Sequence, residues 1–245
     1  MKKICLIPAR YDATRFPGKL MKNLGGKAVI RYTYESVDAA GLFDEVMVVT
    51  DSSVILTEIT TAGGKAIMSR NRHESGSDRI AEVAADLDAE IIVNVQGDTP
   101  FVSKEVLEKL LAQFDDPTVQ VASPMRIISD HDDIIDPNFV KVVVDKQMNS
   151  LLFSRSLIPY PRDKDTQATY YKHIGIYAFR KQALLDFTQW PVSMLESAEK
   201  IECLRYLENG IPLRMVIVDY MGVEIDSPED LEKAEAFIAT QKAEP

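Results

Sequence analysis

Short runs of apolar, β-favouring residues recur at 4–7, 46–50, 91–95, 119–122, 140–144 and 215–218. Between several of them the apolar positions fall at helical spacing, over 28–40, 52–61, 78–87 and 102–114. Strands that are apolar at nearly every position are buried on both faces, and their alternation with amphipathic helices predicts right-handed crossover units. The expected class is therefore α/β, with a mainly parallel central sheet flanked by helices.

After about Asp130 the order changes. The segment Lys141-Val-Val-Val-Asp145 followed by 151–155 reads as strand, turn, strand, and 162–169 as a polar surface loop. Alternation over 173–179 predicts a strand with His173, Gly175 and Tyr177 on one face, and the apolar spacing of 194–207 predicts a helix. Ser227 is placed to cap a last helix over 228–238, with Pro228 at its first position. No repeat, low-complexity tract or linker interrupts the chain, so a single α/β domain over 1–245 is expected, with approximate lobes 1–130 and 131–225 and a C-terminal helical segment, 226–245, returning to the first.

The chain has 245 residues, of which 46% are apolar, and a formal net charge of −10. An acidic balance argues against a general nucleic-acid binder, which needs a basic face to replace counterions. The apolar stretches fall far short of the ~18–20 residues of a spanning helix, so no membrane association is expected. Met1-Lys2-Lys3 leads straight into 4–8, which is too short for a signal-peptide core and reads as a buried strand. Cys5 and Cys203 lie in no CxxC or Cys/His cluster, which points to neither a disulfide framework nor zinc and makes the cytoplasm the expected compartment.

The segment Arg10-Tyr-Asp-Ala-Thr-Arg-Phe-Pro-Gly-Lys19 follows the first strand at the carboxyl end, where open α/β sheets bind ligands. Residues 10–27 carry Arg10, Arg15, Lys19, Lys22 and Lys27 against Asp12 alone, a local charge of +4 in an acidic chain. Arginine grips phosphate oxygens bidentately, lysine supplies a point charge and glycines admit backbone amides, so the loop suits a polyphosphate. A solvated basic loop is the competing reading. Neither a Walker A loop nor a GxGxxG dinucleotide fingerprint is present.

Val93-Asn-Val-Gln-Gly-Asp98 ends a buried run on a carboxylate. Asp98 reads either as a turn former before Pro100 or as a Mg²⁺ ligand beside phosphates, and Asp226 either as part of a helix entry or as a second such ligand. Arg72-His-Glu-Ser-Gly-Ser-Asp-Arg79 places small and hydroxyl residues before a helix, where they contact a base or ribose or where Ser77 simply caps. His73 reads as an ordinary loop histidine. His173 and Tyr177 either face a ligand or include a satisfied, semi-buried histidine. Glu202 and Arg205, three apart, read as a surface pair contributing about 0.3 kcal/mol.

Taken together, Ile7-Pro-Ala-Arg10 with Thr14-Arg15-Phe-Pro-Gly-Lys19, Val93-Asn-Val-Gln-Gly-Asp98, Phe153-Ser-Arg155, His173-Ile-Gly-Ile-Tyr177 and Asp226-Ser-Pro-Glu-Asp230 resemble the 3-deoxy-manno-octulosonate cytidylyltransferase family. The resemblance spans essentially the whole chain, with the motifs in the family's order. It implies a nucleotide-diphospho-sugar transferase-like (Rossmann-like) fold with a smaller sugar-binding and dimerisation lobe, a homodimer, and Mg²⁺ as cofactor. It further implies transfer of CMP from CTP to the anomeric hydroxyl of the eight-carbon acidic sugar Kdo, releasing pyrophosphate, for lipopolysaccharide biosynthesis. By that resemblance Arg10 and Lys19 hold the triphosphate, Asp98 and Asp226 the magnesium, and Ser75, Gly76, Ser77, Arg79 and Gln96 the nucleotide. Arg15, Arg162, His173, Tyr177 and Glu202 fall on sugar-contacting positions, and Arg10, Lys19 and Asp98 on catalytic ones.

Four positions depart from the family pattern: Ala13 replaces a hydroxyl residue, Leu20 a proline, Thr99 a glutamate and Cys203 a glutamine. The last change removes a donor and an acceptor from the expected sugar pocket, worth about 1–3 kcal/mol if a buried partner is left unpaired. The alternatives are therefore the same reaction on 8-amino-8-deoxy-Kdo or another ulosonic acid, and a non-catalytic nucleotide- or sugar-binding regulator.

Overall fold

In chain order the computed structural model runs β1 (Lys3–Ala9), β2 (Asn23–Leu24), β3 (Lys27–Ala28), α1 (Val29–Ala39), β4 (Glu45–Thr50), α2 (Ser53–Thr61), β5 (Ala66–Met68), α3 (Gly76–Asp86), β6 (Ile91–Asn94) and α4 (Lys104–Leu111). It continues with β7 (Val121–Ile128), α5 (His131–Ile135), β8 (Lys141–Val144), β9 (Ser150–Ser154), β10 (Tyr170–His173), β11 (Tyr177–Arg180), α6 (Lys181–Gln189), α7 (Met194–Glu199), α8 (Leu204–Glu208), β12 (Arg214–Ile217) and α9 (Pro228–Gln241). The structure describes residues 1–12, 16–73, 75–163, 165, 167–220 and 222–241. The chain divides into two units, Met1–Leu107 with Met221–Pro245, and Glu108–Tyr220.

In the first unit the strands β5, β4, β1 and β6 lie side by side and are all parallel. Successive strand residues point to opposite faces, yet β1 is buried from Ile4 to Ala9 and β6 throughout, so both faces of the sheet are covered, as the unbroken apolar runs require. Complete burial of side chains such as Ile4, Leu6 and Ile7 contributes roughly 1.5–3 kcal/mol each. Helices α1 and α3 pack against β1 and β4. Ser52 caps α2 as an acceptor from the Ile55 amide. The returning helix α9 buries Ala234 and Ile238 and sets Phe237 against Phe101, ring centroids 4.7 Å apart. Its start is as expected: Ser227 Oγ accepts from the Asp230 amide, with Pro228 the first helical residue.

The second unit is built differently. Strand β7 pairs antiparallel with β10 and β11 and parallel with β12; β10 continues antiparallel to β8, and β8 antiparallel to β9. The expected hairpin is β8 and β9, paired from Lys141 with Ser154 to Val144 with Ser150.

Two segments depart from the elements their apolar spacing predicts. The run 173–179 is not one strand: β10 ends at His173 and β11 begins at Tyr177. Between them the Ile176 amide donates to the Ile174 carbonyl, 2.8 Å, a three-residue turn centred on Gly175. Against β7, His173 faces Met125 and Ala178 faces Ala122, so this turn takes up two extra residues. An even number of extra residues preserves the side-chain parity, so His173 and Tyr177 share one face as expected, with ring centroids 5.4 Å apart.

The run 194–207 is likewise not one helix. Lys200 takes the left-handed conformation (φ 55°) and ends α7, and α8 starts at Leu204. Arg205 then turns back onto Glu196: Nε donates to Oε2 at 2.7 Å and Nη2 to Oε1 at 2.6 Å, with both side chains buried. The same guanidinium donates to the carbonyls of Phe187 and Trp190 and lies 4.0 Å from the Phe187 ring centroid. The expected surface ion pair between Arg205 and Glu202 is replaced by this buried bidentate one, because a desolvated guanidinium needs every donor satisfied.

Truncating Arg205 to Ala strands the Glu196 carboxylate in the interior and is expected to cost about 3–5 kcal/mol of unfolding free energy, read from urea denaturation.

Candidate active site

The carboxyl ends of β1 and β6 lie together in the first unit, and the loop that follows β1 closes with a single 3-10 turn over Lys19–Met21. Gly18 enters that turn at φ 67°, a conformation a glycine adopts without strain. Leu20, in place of the family's proline, is buried and packs toward Gly97, where an added Cβ would stand 3.1 Å from the Pro8 carbonyl. The backbone after β6 thus passes too close to β1 for a side chain at 97.

This turn aims Lys19 at two carboxylates. Its Nζ donates to Asp98 Oδ2 at 2.5 Å and to Asp226 Oδ1 at 2.8 Å. Asp98 stands just past β6, and the Ile225 amide donates to its carbonyl at 3.0 Å, which draws the approach to α9 alongside. Asp230 fixes the turn there, accepting from the amides of Asp226 and Ser227. Burial works to lower the pKa of Lys19, but the charges and hydrogen bonds of Asp98 and Asp226 outweigh it and hold the ammonium above its ordinary value. Lys19 is therefore a fixed positive charge at neutral pH and not a general base.

Two carboxylate oxygens converging on one ammonium mark a position built for a cation. Their donor set suits a hard divalent ion such as Mg²⁺, which takes one or two carboxylates and completes its shell with phosphate oxygens and water. Among the described residues no group of three or more His, Cys, Asp or Glu side chains is placed to hold a metal.

Residues 75–79 open α3. Ser75, not Ser77, is the cap: its Oγ accepts from the Asp78 amide at 3.0 Å and donates to Asp78 Oδ2 at 2.9 Å. That reciprocal arrangement outcompetes the expected cap at Ser77, which is buried in the first turn. Gly76 approaches Pro8 and Gln96, and a Cβ there would stand 3.4 Å from Gln96 Oε1. Arg79 is buried, and its guanidinium donates to Asp51 Oδ2 at 2.7 Å and Ser69 Oγ at 2.9 Å. Arg10 is exposed at the end of β1.

His73 is held by Glu82, 2.9 Å from Nε2. Glu82 also accepts from the amides of Arg70 and Asn71 and from Asn71 Nδ2, tying 70–73 to α3. Burial would raise the Glu82 carboxyl, but these donors pull it down to about 2.

The remaining sugar candidates lie in the second unit. His173 is buried, with Nε2 2.9 Å from Ser123 Oγ, and its ring packs against Phe153 and Tyr177. Burial pushes its pKa down to about 3, so the ring is neutral. Cys203 is buried beside Tyr177, with which its thiol is hydrogen-bonded; desolvation raises the thiol pKa and keeps it protonated. Glu202 is half-buried, and Arg162 is exposed in the polar loop. Arg15, with Ala13, lies outside the described residues. Asp51 and Ser123 escape a reading of the sequence because their partners lie 28 and 50 residues away, and Ser69 and Glu82 because theirs, 9 to 12 residues away, lie across the start of α3.

A parallel α/β sheet whose strand ends carry a basic loop and two carboxylates gathered on one lysine suits a nucleotidyltransferase, and residues 4–220 match the family model described as cytidylyltransferase. The chain is 56% identical to a 3-deoxy-manno-octulosonate cytidylyltransferase of Flavobacterium johnsoniae over 97% of this chain and 99% of that one, and 53% identical to one of Christiangramia forsetii over 96% of each. It superposes with a TM-score of 0.94 on a solved structure of CMP:2-keto-3-deoxy-manno-octonic acid synthetase complexed with CTP, at 42% identity over 98% of this chain and 100% of that one. The chain belongs to the 3-deoxy-manno-octulosonate cytidylyltransferase family.

Replacing Glu82 with Gln is expected to loosen residues 70–73 at a cost of about 1–2 kcal/mol at neutral pH. The Glu82 carboxyl is lowered on folding from 4.5 to about 2, so its contribution is complete above pH 4.5 and is lost as pH falls toward 2. Denaturation midpoints of the two proteins should therefore converge over that interval.

Proposed function

We propose that this cytidylyltransferase transfers CMP from CTP to the anomeric hydroxyl of Kdo, giving CMP-Kdo and pyrophosphate for lipopolysaccharide assembly. The observation that carries the reading is the Lys19 ammonium between Asp98 and Asp226, which supplies the fixed charges such a transfer needs. The sugar hydroxyl attacks the α-phosphorus in line as the bond to pyrophosphate breaks, and the protein contributes mainly position and charge.

Lys19 and Arg10 hold the triphosphate and stabilise the charge that accumulates on the departing pyrophosphate. Asp98 and Asp226 would hold Mg²⁺, which would supply positive charge to offset the negative charge that develops during transfer. Ser75, Gly76, Ser77 and Gln96 face the nucleoside, with Arg79 anchored on Asp51 and Ser69 to fix the start of α3. The sugar acid is bound by Arg15, Arg162, His173, Tyr177 and Glu202. Nucleotide recognition thus belongs to the first lobe and sugar recognition, with homodimer formation, to the second. The enzyme works in the cytoplasm; among the described residues no helix is long and apolar enough to cross a membrane.

The Cys203 thiol beside Tyr177 favours a second reading of the sugar alone, since the family's glutamine is missing there. On that reading the same residues act on 8-amino-8-deoxy-Kdo or another ulosonic acid.

Pyrophosphate release by the full chain with Mg²⁺, CTP and Kdo tests the proposal, run beside 8-amino-8-deoxy-Kdo, a sialic acid, and UTP in place of CTP. Release with CTP and Kdo is expected, and Asp98→Asn should lower kcat on the order of 10²-fold with the fold intact, because the charge it holds matters most in the transition state. Release with another sugar acid but not Kdo moves the substrate. Silence with every sugar, while CTP still binds, contradicts the enzyme reading and favours a regulator.

A further inference from the structure

Ser123 lies on β7 and is wholly buried, far in sequence from every motif of the site. Its single hydroxyl stands within hydrogen-bond distance of three atoms: the Ile176 carbonyl at 2.7 Å, the Ile174 carbonyl at 3.2 Å and His173 Nε2 at 2.9 Å. A hydroxyl has one proton to donate, and carbonyl oxygens only accept. That proton goes to the carbonyls, the nearer of which would otherwise face another oxygen at 2.7 Å with nothing between them. The lone pairs of Oγ then face Nε2, and the contact is favourable only when Nε2 carries the hydrogen.

Burial keeps the imidazole neutral, so a hydrogen on Nε2 leaves Nδ1 with a lone pair. Among the described residues Nδ1 has no protein partner. The two carbonyls that fix Ser123 belong to the turn between β10 and β11, whose two extra residues leave His173 and Tyr177 on one face with their rings 5.4 Å apart.

We propose that Ser123 is a positioning residue that locks His173 in the Nε2–H tautomer and so presents Nδ1 as a hydrogen-bond acceptor to a hydroxyl of the sugar acid. The proposal rests on the assignment of His173 to the sugar and adds to it a direction: the histidine accepts from the sugar and does not donate to it. An acceptor at this point selects for a ligand with a hydrogen to give, a hydroxyl or protonated amine, and against a carboxylate or carbonyl oxygen.

The test is nitrogen NMR of the full chain labelled with ¹⁵N-histidine. The chain has three histidines, and the resonances of His173 are those missing in His173→Gln. The expected pattern is a protonated Nε2 and a bare Nδ1 in the free protein, with the Nδ1 resonance shifting when Kdo is added together with CTP and a non-reacting metal, Ca²⁺. Ser123→Ala should mix the two tautomers and raise KM for the sugar acid about tenfold, with KM for CTP within twofold, as loss of one oriented hydrogen bond predicts. A protonated Nδ1 in the free wild-type protein overturns the tautomer assignment, and that measurement needs neither substrate nor variant. The expected tautomer with no response of Nδ1 to any sugar acid, while pyrophosphate release proceeds, overturns the role toward the sugar and leaves the transferase reading standing. An absence of release with every sugar is the failure of the functional assignment itself and is read from the separate enzyme assay.

Discussion

Two carboxylates brought together at the end of a buried sheet repel one another strongly unless a cation stands between them, and in this protein that cation is the Lys19 ammonium. Asp98 is 79 residues from Lys19 and Asp226 is 207, so one charge gathers three distant segments. Each segment is separately braced: the lysine turn by Gly18 and buried Leu20, the end of β6 by the close approach of Gly97 to Pro8, and the entry to α9 by Asp230. Packing of Phe237 on Phe101 holds the returning helix where Asp226 can reach. The rigidity of the parallel sheet is thereby passed to a small set of charges, which is what catalysis by electrostatic preorganisation requires.

The arrangement also explains an acidic protein with one basic loop. Net charge repels polyanions at long range, whereas the +4 of residues 10–27 is concentrated beside a strand end. A triphosphate approaching alone would meet Asp98 and Asp226 as well as Lys19, which on the proposed function is why a divalent cation would accompany it.

The parallel half of the fold was readable from hydrophobic pattern because β1, β4 and β6 are apolar on both faces, a signal that depends on no distant partner. The second unit was less so. Ile174 and Ile176 alternate as a strand would, and nothing local reveals that the Ser123 hydroxyl binds both of their carbonyls and stabilises a turn. The spacing of 194–207 stays helical through Lys200, and the break there follows from the buried pairing of Glu196 with Arg205, which competes with a plausible partner at Glu202. For the site, Lys19 and Asp98 sit in short motifs with a chemical reason for their residue type, whereas Asp226, in a helix entry, is picked out only by the family resemblance. Asp51, which follows β4 and holds Arg79, and Ser123, which lies on β7 and contacts His173, are single polar residues with no motif around them, and their roles exist only once the chain is folded.

The central claim is that Asp98 and Asp226 serve a cation which in turn makes room for the triphosphate. Calorimetric titration of the full chain with CTP, in the presence and absence of Mg²⁺, and of an Asp98→Asn/Asp226→Asn double variant, tests it most directly. The account predicts that Mg²⁺ tightens CTP binding to the wild-type protein by at least about tenfold and that the double variant loses most of this dependence. Equal dependence on Mg²⁺ in the two proteins would contradict it.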